Sequence, residues 1–260
     1  MIKLTTKTKK RKSPKSLLVV GPPKVGKTLC CGMLPNAKLI DLQDGSSYYD
    51  KVDAFNIRLL TKENNERLTK EGKPKITKLD VFAEVCKHLK NDPPDYLIVD
   101  TVSDMEELAK DLALILYKAS PMGKNYKGKD VTTLPQGAGY NWLRQAFVKL
   151  DDMIQECYKK GYIYTIHPKM ASIHKEGQDL TARDINLTGK IKLYLCGEMH
   201  AIGFMHRDKG NPINFISFKG NERDLATGAR PEHLRGKEFK ISELKEDGTL
   251  ETYWDQIYID

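Results

Sequence analysis

Short apolar runs alternate with amphipathic stretches along most of the chain. The apolar runs have the length of buried strands, whereas the longer stretches repeat apolar residues every three or four positions, as helices do. Between residues 77 and 89, for example, Leu79, Phe82, Val85 and Leu89 recur at helical spacing. These patterns predict strands at 16–20, 37–42, 54–60, 95–100, 161–167, 191–205 and 213–218, and helices at 28–34, 77–89, 105–117 and 141–159.

Strands that alternate with helices are typical of a three-layer α/β fold whose central sheet is mostly parallel. Polar stretches at 63–75, 120–139 and 169–190 lack an apolar period and are predicted to be loops. Near the end of the chain, Asp247 and Gly248 separate two short apolar segments, which predicts a β-hairpin. We therefore expect a tail over 1–15, a core over 16–218 and a small β extension over 219–260.

The N-terminal segment holds most of the formal net charge of +8 on this 260-residue chain. Residues 1–15 contain seven lysines and arginines and no acid, which predicts a disordered basic tail. Two functions fit such a tail: a flexible arm that grips nucleic-acid phosphates, and a solubilising leader. The five cysteines form no CxxC pair, no apolar run approaches the ~20 residues of a membrane span, and we find no secretory signal. These features indicate a cytoplasmic protein without a membrane partner.

Residues 21–28 read Gly-Pro-Pro-Lys-Val-Gly-Lys-Thr and match the complete phosphate-loop pattern GxxxxGK[ST]. The predicted strand before them and helix after them supply the context that this motif needs. The glycines allow backbone N–H groups to surround phosphate oxygens, Lys27 can reach the β- and γ-phosphates of ATP, and the Thr28 hydroxyl can bind Mg²⁺. The predicted nucleotide-binding residues are Gly21, Pro22, Pro23, Lys24, Val25, Gly26, Lys27, Thr28 and Leu29.

A second phosphate-site residue is predicted at the end of the apolar run 95–100. Asp100 follows a buried strand, which is the Walker B pattern, and such a carboxylate holds Mg²⁺ beside the phosphate-loop threonine. The residues after it, Thr101 to Asp104, include no glutamate. The group that orients the attacking water must therefore come from elsewhere.

The order of these motifs resembles the RecA-like P-loop ATPase core, and more closely the compact phage AAA-family ATPases of the Sak single-strand-annealing type. The matching stretches are 17–29, 39–45, 95–101, 139–150 with 162–167, and 187–190, within residues 16 to about 205. The resemblance implies a three-layer RecA-like fold and ATP-dependent handling of single-stranded DNA in recombination. It also implies assembly into a homo-oligomer and work beside a single-strand binding protein, in the host cytoplasm if the chain is a phage protein.

The resemblance assigns catalytic roles to residues near the strand ends. RecA-like enzymes carry a glutamate shortly after the second strand, where this chain has Gln43; Asp44 can serve instead if the turn is shifted. Glutamine can orient a water molecule but is a poor proton acceptor, so we expect slow hydrolysis. His167 stands where the family senses the γ-phosphate, next to a strand that should lie beside the Walker B strand. Tyr48 and Tyr49 can stack on the base.

The resemblance also places DNA in two mobile loops, here 120–140 and 169–190. Lysines there can pair with phosphates and Tyr126 can stack on a base. The DNA-binding residues expected on this basis are Lys124, Lys127, Lys129, Lys175 and Arg183. Arg223 and Arg230 are expected to act in trans on a neighbouring subunit's nucleotide, because a planar cation offsets developing phosphate charge.

Two other functions remain consistent with the sequence. The first is a P-loop kinase of a small substrate with 120–140 as its lid, although no arginine-rich lid is evident. The second is a nucleotide-stabilised scaffold that binds DNA without hydrolysing ATP, which Gln43 in place of an acid favours.

Overall fold

The computed structural model describes residues 11–175, 178–208, 210–220 and 226–259, with the backbone alone at 173–175 and 178–181. No helix in these ranges is both long enough and apolar enough to cross a membrane. The helices are α1 Lys27–Gly32, α2 Ile57–Lys70, α3 Lys78–Asn91, α4 Val102–Ala119, α5 Ala138–Gln155 and α6 Gly189–Glu198. The strands are β1 Ser16–Val20, β2 Ala37–Asp41, β3 Ala54–Asn56, β4 Tyr96–Asp100, β5 Gly161–Ile166, β6 Pro168–Lys175, β7 Gln178–Ile185, β8 Ala201–Arg207, β9 Ile213–Ser217, β10 Gly228–Ala229, β11 Glu238–Leu244 and β12 Leu250–Thr252.

A central sheet runs in the order β12-β11-β9-β8-β1-β5-β4-β2-β3, with β10 paired to β8. The strands from β8 to β3 are mutually parallel, and β9, β11 and β12 extend the sheet in antiparallel fashion. β5 lies between β1 and β4, so one strand separates the phosphate-loop strand from the strand that carries Asp100. A mostly parallel central sheet with helices packed on it confirms the predicted α/β class.

Alternate residues of the parallel strands point to two separate cores, as expected for strands buried on both faces. Leu18 and Val20 of β1 pack with the apolar faces of α3, α4, α5 and α6. Leu17 and Val19 pack on the opposite face with α1 and with Trp254 near the C-terminus. The three layers are therefore helices α2 to α6, of which α2 contributes little, the sheet, and a thinner layer built from α1 and the C-terminal segment.

Four sequence-based predictions about secondary structure were wrong. The strand predicted at 54–60 ends at Asn56. The Asn56 side chain accepts from the Leu59 N–H at 3.0 Å and so caps α2. Helix α2 also replaces most of the loop predicted at 63–75. Ile57 is the only residue of α2 that the structure buries, so the helix shows no apolar stripe. The loop predicted at 169–190 is largely the β6–β7 hairpin.

The fourth error concerns 191–205, which was predicted to be strand but begins as helix α6. The alternation of Ile191, Leu193 and Leu195 imitates a strand. In the structure, Ile191 and Leu195 are buried one helical turn apart, whereas Leu193 is 71% exposed.

The two ends of the chain are joined to the core. The predicted C-terminal hairpin is present as β11 and β12, and β11 pairs with β9 of the central sheet. The Trp254 indole Nε1 donates to the Cys30 carbonyl of α1 at 2.8 Å. Within the tail predicted at 1–15, the Lys15 N–H donates to His200 Nδ1 at 3.1 Å, and Ser13 Oγ accepts from the Ile259 N–H at 2.9 Å. The remainder of that tail, residues 1–10, lies outside the described residues.

Candidate nucleotide site

The phosphate loop leaves the carboxyl end of β1 and turns sharply into α1. Lys24 and Gly26 have φ of 62° and 99°, a left-handed conformation that glycine adopts without strain. A Cβ on Gly21 would lie 2.8 Å from the Met205 carbonyl oxygen, so no larger residue fits there. Both glycines of the motif are therefore required by the backbone path.

The Lys27 side chain is buried within this loop. Its Nζ donates to the carbonyl oxygens of Gly21 at 2.8 Å and Pro22 at 2.9 Å. Burial lowers the pKa of Lys27 to about 8, against the opposing attraction of Asp100. The loop thus holds a poorly solvated cation, to which an anion would bind strongly.

Asp100 and Thr28 meet beside the phosphate loop. The Thr28 and Thr165 hydroxyls each donate to a different oxygen of the buried Asp100 carboxylate. A Cβ on Gly45 would lie 3.7 Å from Thr28 Oγ1 and 3.9 Å from Asp100 Oδ2, so the glycine keeps this corner open. Hydroxyl and carboxylate oxygens fit Mg²⁺, which takes few protein ligands and completes its shell with phosphate and water. The described residues contain no cluster of three or more His, Cys, Asp or Glu suited to a metal.

Asp41 organises the turn after β2, a role that the sequence analysis missed. Its buried carboxylate accepts from the backbone N–H groups of Gln43 at 2.9 Å, Asp44 at 2.8 Å and Ser46 at 2.7 Å. An aspartate that ends a strand two residues before a polar turn is a recognisable signal for this arrangement. The turn fixes where Gln43 and Asp44 point.

Gln43 and Asp44 point in different directions. Gln43 Nε2 donates to Asp104 Oδ2 at 2.6 Å and lies 3.3 Å from Thr101 Oγ1, next to the end of β4. The Asp44 carboxylate instead accepts from Ser47 Oγ and Asn56 Nδ2, and these hydrogen bonds lower the pKa of Asp44. The side chain that the structure brings beside the Asp100 strand is that of Gln43.

Asp104, in the first turn of α4, is a site residue that the sequence analysis missed. Besides Gln43, its Oδ2 accepts from Thr101 Oγ1 at 2.7 Å, and Arg58 Nη2 lies 3.7 Å from its Oδ1. The Arg58 Nε also donates to the Leu42 carbonyl at 3.0 Å, which ties α2 to the turn after β2. A Thr-x-x-Asp pattern directly after the Walker B strand is the signal that could have revealed it.

His167 follows β5 and faces the phosphate loop. Its Nδ1 lies 3.2 Å from Lys27 Nζ and 3.3 Å from the Gly21 carbonyl oxygen. Burial, and then the Lys27 cation, lower the pKa of His167. The next residue, Pro168, begins the β6–β7 hairpin, so this histidine connects the loop to that hairpin.

A cleft of about 220 Å³ lies on the other side of the phosphate loop. Arg207 Nη2 reaches the Val25 carbonyl oxygen at 3.5 Å and its Nε donates to Asn214 Oδ1 at 3.3 Å. Tyr49 lines the cleft, whereas Tyr48 is 86% exposed. Other lining residues come from the loop, α1, the segment before β9 and the C-terminal hairpin: Lys24, Gly26, Leu29, Pro212, Leu244 and Leu250.

The residues predicted to bind DNA lie in two places. Lys124, Lys127 and Lys129 are exposed on the segment between α4 and α5, and Lys129 lines a cavity of about 400 Å³ together with Asp104. The Arg183 guanidinium on β7 stacks 3.9 Å from the centre of the Phe204 ring. The Lys175 side chain lies outside the described residues.

Of the two arginines predicted to act in trans, Arg223 lies outside the described residues. Arg230 lies at the opposite end of the sheet from the phosphate loop. Its N–H donates to the His200 carbonyl at 2.8 Å, just before β8, and its Nη2 donates to the Gly197 carbonyl. It therefore cannot reach the nucleotide site of its own chain.

Comparison with known proteins gives one family match. The family model described as an AAA domain matches residues 13–237. No curated protein sequence matches the chain. Among solved structures, the RadB recombinase shows 13% sequence identity and a TM-score of 0.39, with 93% of this chain and 92% of that chain covered. The flagellar accessory protein FlaH from Methanocaldococcus jannaschii shows 12% identity and a TM-score of 0.40, with 92% and 90% covered.

Proposed function

The chain belongs to the AAA-domain family, and from this premise we propose that it binds ATP with Mg²⁺, hydrolyses the ATP slowly, and thereby controls its binding to single-stranded DNA. The observation that carries the proposal is the convergence of Lys27, Thr28, Asp100, Gln43 and His167 at one end of the sheet. Ligands of open α/β sheets bind at this end, outside the carboxyl ends of the strands.

Three residues are suited to hold the nucleotide and its metal ion: Lys27, Thr28 and Asp100. The Lys27 ammonium, now on two carbonyl oxygens, would bind phosphate oxygens, and Thr28 and Asp100 would hold Mg²⁺. When bound, Mg²⁺ neutralises charge that develops on the phosphate oxygens. The cleft beside Tyr49 lies next to Gly26 and Leu29, and we assign the base to it.

Gln43 orients the water molecule that attacks the γ-phosphorus. A carboxylate can only accept hydrogen bonds, so the Gln43 atom that faces Asp104 must be the amide nitrogen. The Gln43 carbonyl oxygen is then left to accept a hydrogen bond from water. In the reaction, the water oxygen bonds to the γ-phosphorus, the bond to the β,γ-bridging oxygen breaks with its electron pair passing to ADP, and the water proton passes to the released phosphate. Without a strong base nearby, the reaction is slow.

Two connections link this site to the predicted DNA-binding segments. Lys129 shares a cavity with Asp104, which holds Gln43. His167 contacts Lys27 and is followed directly by the β6–β7 hairpin. A change at the γ-phosphate can therefore be transmitted to both segments through few contacts. In this proposal, ATP binding favours the DNA-bound state. The resemblance to phage annealing ATPases extends the proposal to strand annealing in recombination or replication, as a homo-oligomer with a core over 16–218.

Binding of a fluorescent single-stranded oligonucleotide, measured with and without a non-hydrolysable ATP analogue, tests the coupling. We expect the analogue to tighten binding in the wild type and to have no effect in Lys27→Ala. Lys62→Ala, which removes an exposed lysine of α2, should behave as wild type. Equal affinity in the two wild-type titrations would refute the coupling. A phosphorylated small product would establish the kinase instead.

A further inference from the structure

A second strongly charged surface lies at the end of the sheet away from the nucleotide site. We call it the basic edge, and it consists of Arg11, Lys12, Lys15, Arg230 and Arg235. Arg11, Lys12 and Arg230 line a cavity of about 300 Å³ there, with Pro231, Glu232, His233 and Ile259. The cavity is remote from the phosphate loop because Arg230 is bonded to His200 before β8, whereas the loop follows the end of β1.

Carbonyl oxygens, which carry no net charge, hold two of the three arginine side chains of this surface in place. Arg230 Nη2 donates to the Gly197 carbonyl, and Arg235 Nη2 donates to the Arg230 carbonyl at 3.0 Å. Within the ranges that the structure describes, no ion pair joins any of the five cations to a carboxylate. Two carboxylates, Glu198 and Glu232, lie nearby, so positive charge remains in excess.

His200 lies among these cations. Its Nδ1 accepts from the Lys15 N–H at 3.1 Å. Burial, followed by Arg230, Arg11 and Lys15, lowers the pKa of His200. Residues that lie more than 200 positions apart in the chain therefore contribute to one positive field.

We propose that the basic edge binds the phosphate backbone of single-stranded nucleic acid without help from ATP. Several cations that lie apart from one another can each contact a different phosphate of a nucleic-acid backbone, whereas a single small anion cannot reach them all. Binding of this kind is strongly salt-dependent. The proposal rests on the proposed function, to which it adds a second, nucleotide-independent contact surface. It gives Arg230 a role in binding nucleic acid in place of the predicted contact with a neighbour's nucleotide.

The test compares Arg11→Ala/Lys12→Ala/Arg230→Ala with the wild type in titrations of a labelled oligothymidine at several salt concentrations, without nucleotide. Each phosphate contact of a single strand contributes about 0.7 to the slope of log affinity against log salt. We therefore expect the triple variant to lower that slope by about 2. The matched control is Lys62→Ala/Lys70→Ala/Lys75→Ala, which removes three charges from another concave surface, beside α2. Thermal melting of each variant checks its folding.

An unchanged slope in a folded triple variant, or an equal loss in the control, would overturn the inference. ATP hydrolysis separates this failure from failure of the proposed function, because the basic edge is remote from the nucleotide. If the wild type hydrolyses ATP in response to DNA and the triple variant keeps its full DNA affinity, only the inference fails. If the wild type binds no DNA at any salt concentration, both fail.

Discussion

Replacing Asp104 with alanine tests whether this residue positions Gln43 for hydrolysis. The Asp104 carboxylate accepts from Gln43 Nε2 at 2.6 Å and so fixes which end of the amide faces the water. A hydrogen bond to a charged group contributes about 1.5–3 kcal/mol, and each 1.4 kcal/mol corresponds to about tenfold in rate. We therefore expect Asp104→Ala to lower kcat by about 10- to 150-fold. KM for ATP should stay within about twofold, because Lys27 and Thr28 still hold the nucleotide.

Steady-state phosphate release over a range of ATP concentrations measures both constants. Asp104→Asn should fall between the wild type and Asp104→Ala, because neutral hydrogen bonds are about half as strong as charge-assisted ones. Asp111→Ala is the matched control: it removes an exposed carboxylate from the same helix without touching Gln43.

A double variant separates positioning from a general loss of stability. If Asp104 acts through Gln43, then Gln43→Ala/Asp104→Ala should be no slower than Gln43→Ala alone. Fully additive losses, a kcat that Asp104→Ala leaves intact, or an effect on KM alone would refute the reasoning.

Three further predictions concern other parts of the molecule. Lys27→Met should lower ATP affinity by about 10- to 150-fold in calorimetry, since it removes a charged phosphate contact. As the pH rises from 8 to 10.5, the free energy of unfolding of the wild type should increase relative to that of the variant. The reason is that the unfolded chain still holds the proton that folded Lys27 has released, and a difference in unfolding free energy that does not change with pH would contradict this. Trp254→Ala should lower the free energy of unfolding by about 3–5 kcal/mol in urea titrations, and Trp254→Phe by about 1 kcal/mol, as the bond to Cys30 is lost; equal losses would disprove a role for that bond. The pKa of His200, followed by NMR, should rise when oligothymidine binds, because phosphates offset the cations that lower it, whereas an unchanged pKa would place the DNA elsewhere.

Local sequence patterns were sufficient to predict the phosphate loop, the Walker B strand and the strand that ends at His167. These elements bury continuous apolar runs, and the chemistry follows directly at the strand ends. Helix α2 was missed because it buries one residue, and α6 was missed because Ile191, Leu193 and Leu195 alternate as strand residues do. Tertiary packing decided both cases.

Contacts between distant segments were beyond the reach of local patterns. Asp104 belongs to the site because it accepts a hydrogen bond from Gln43, which lies on a different turn. Asp44 points away from the end of β4 because its carboxylate accepts hydrogen bonds from Ser47 and Asn56. The basic edge unites Arg11 with Arg230. Neither arrangement has a spacing that a single sequence could reveal.

ATP hydrolysis by the purified protein, with and without single-stranded DNA at two salt concentrations, tests the central claim most directly. The account predicts slow hydrolysis that DNA stimulates, with less stimulation at the higher salt concentration because phosphate contacts are screened. Hydrolysis that DNA leaves unchanged at both salt concentrations would contradict it.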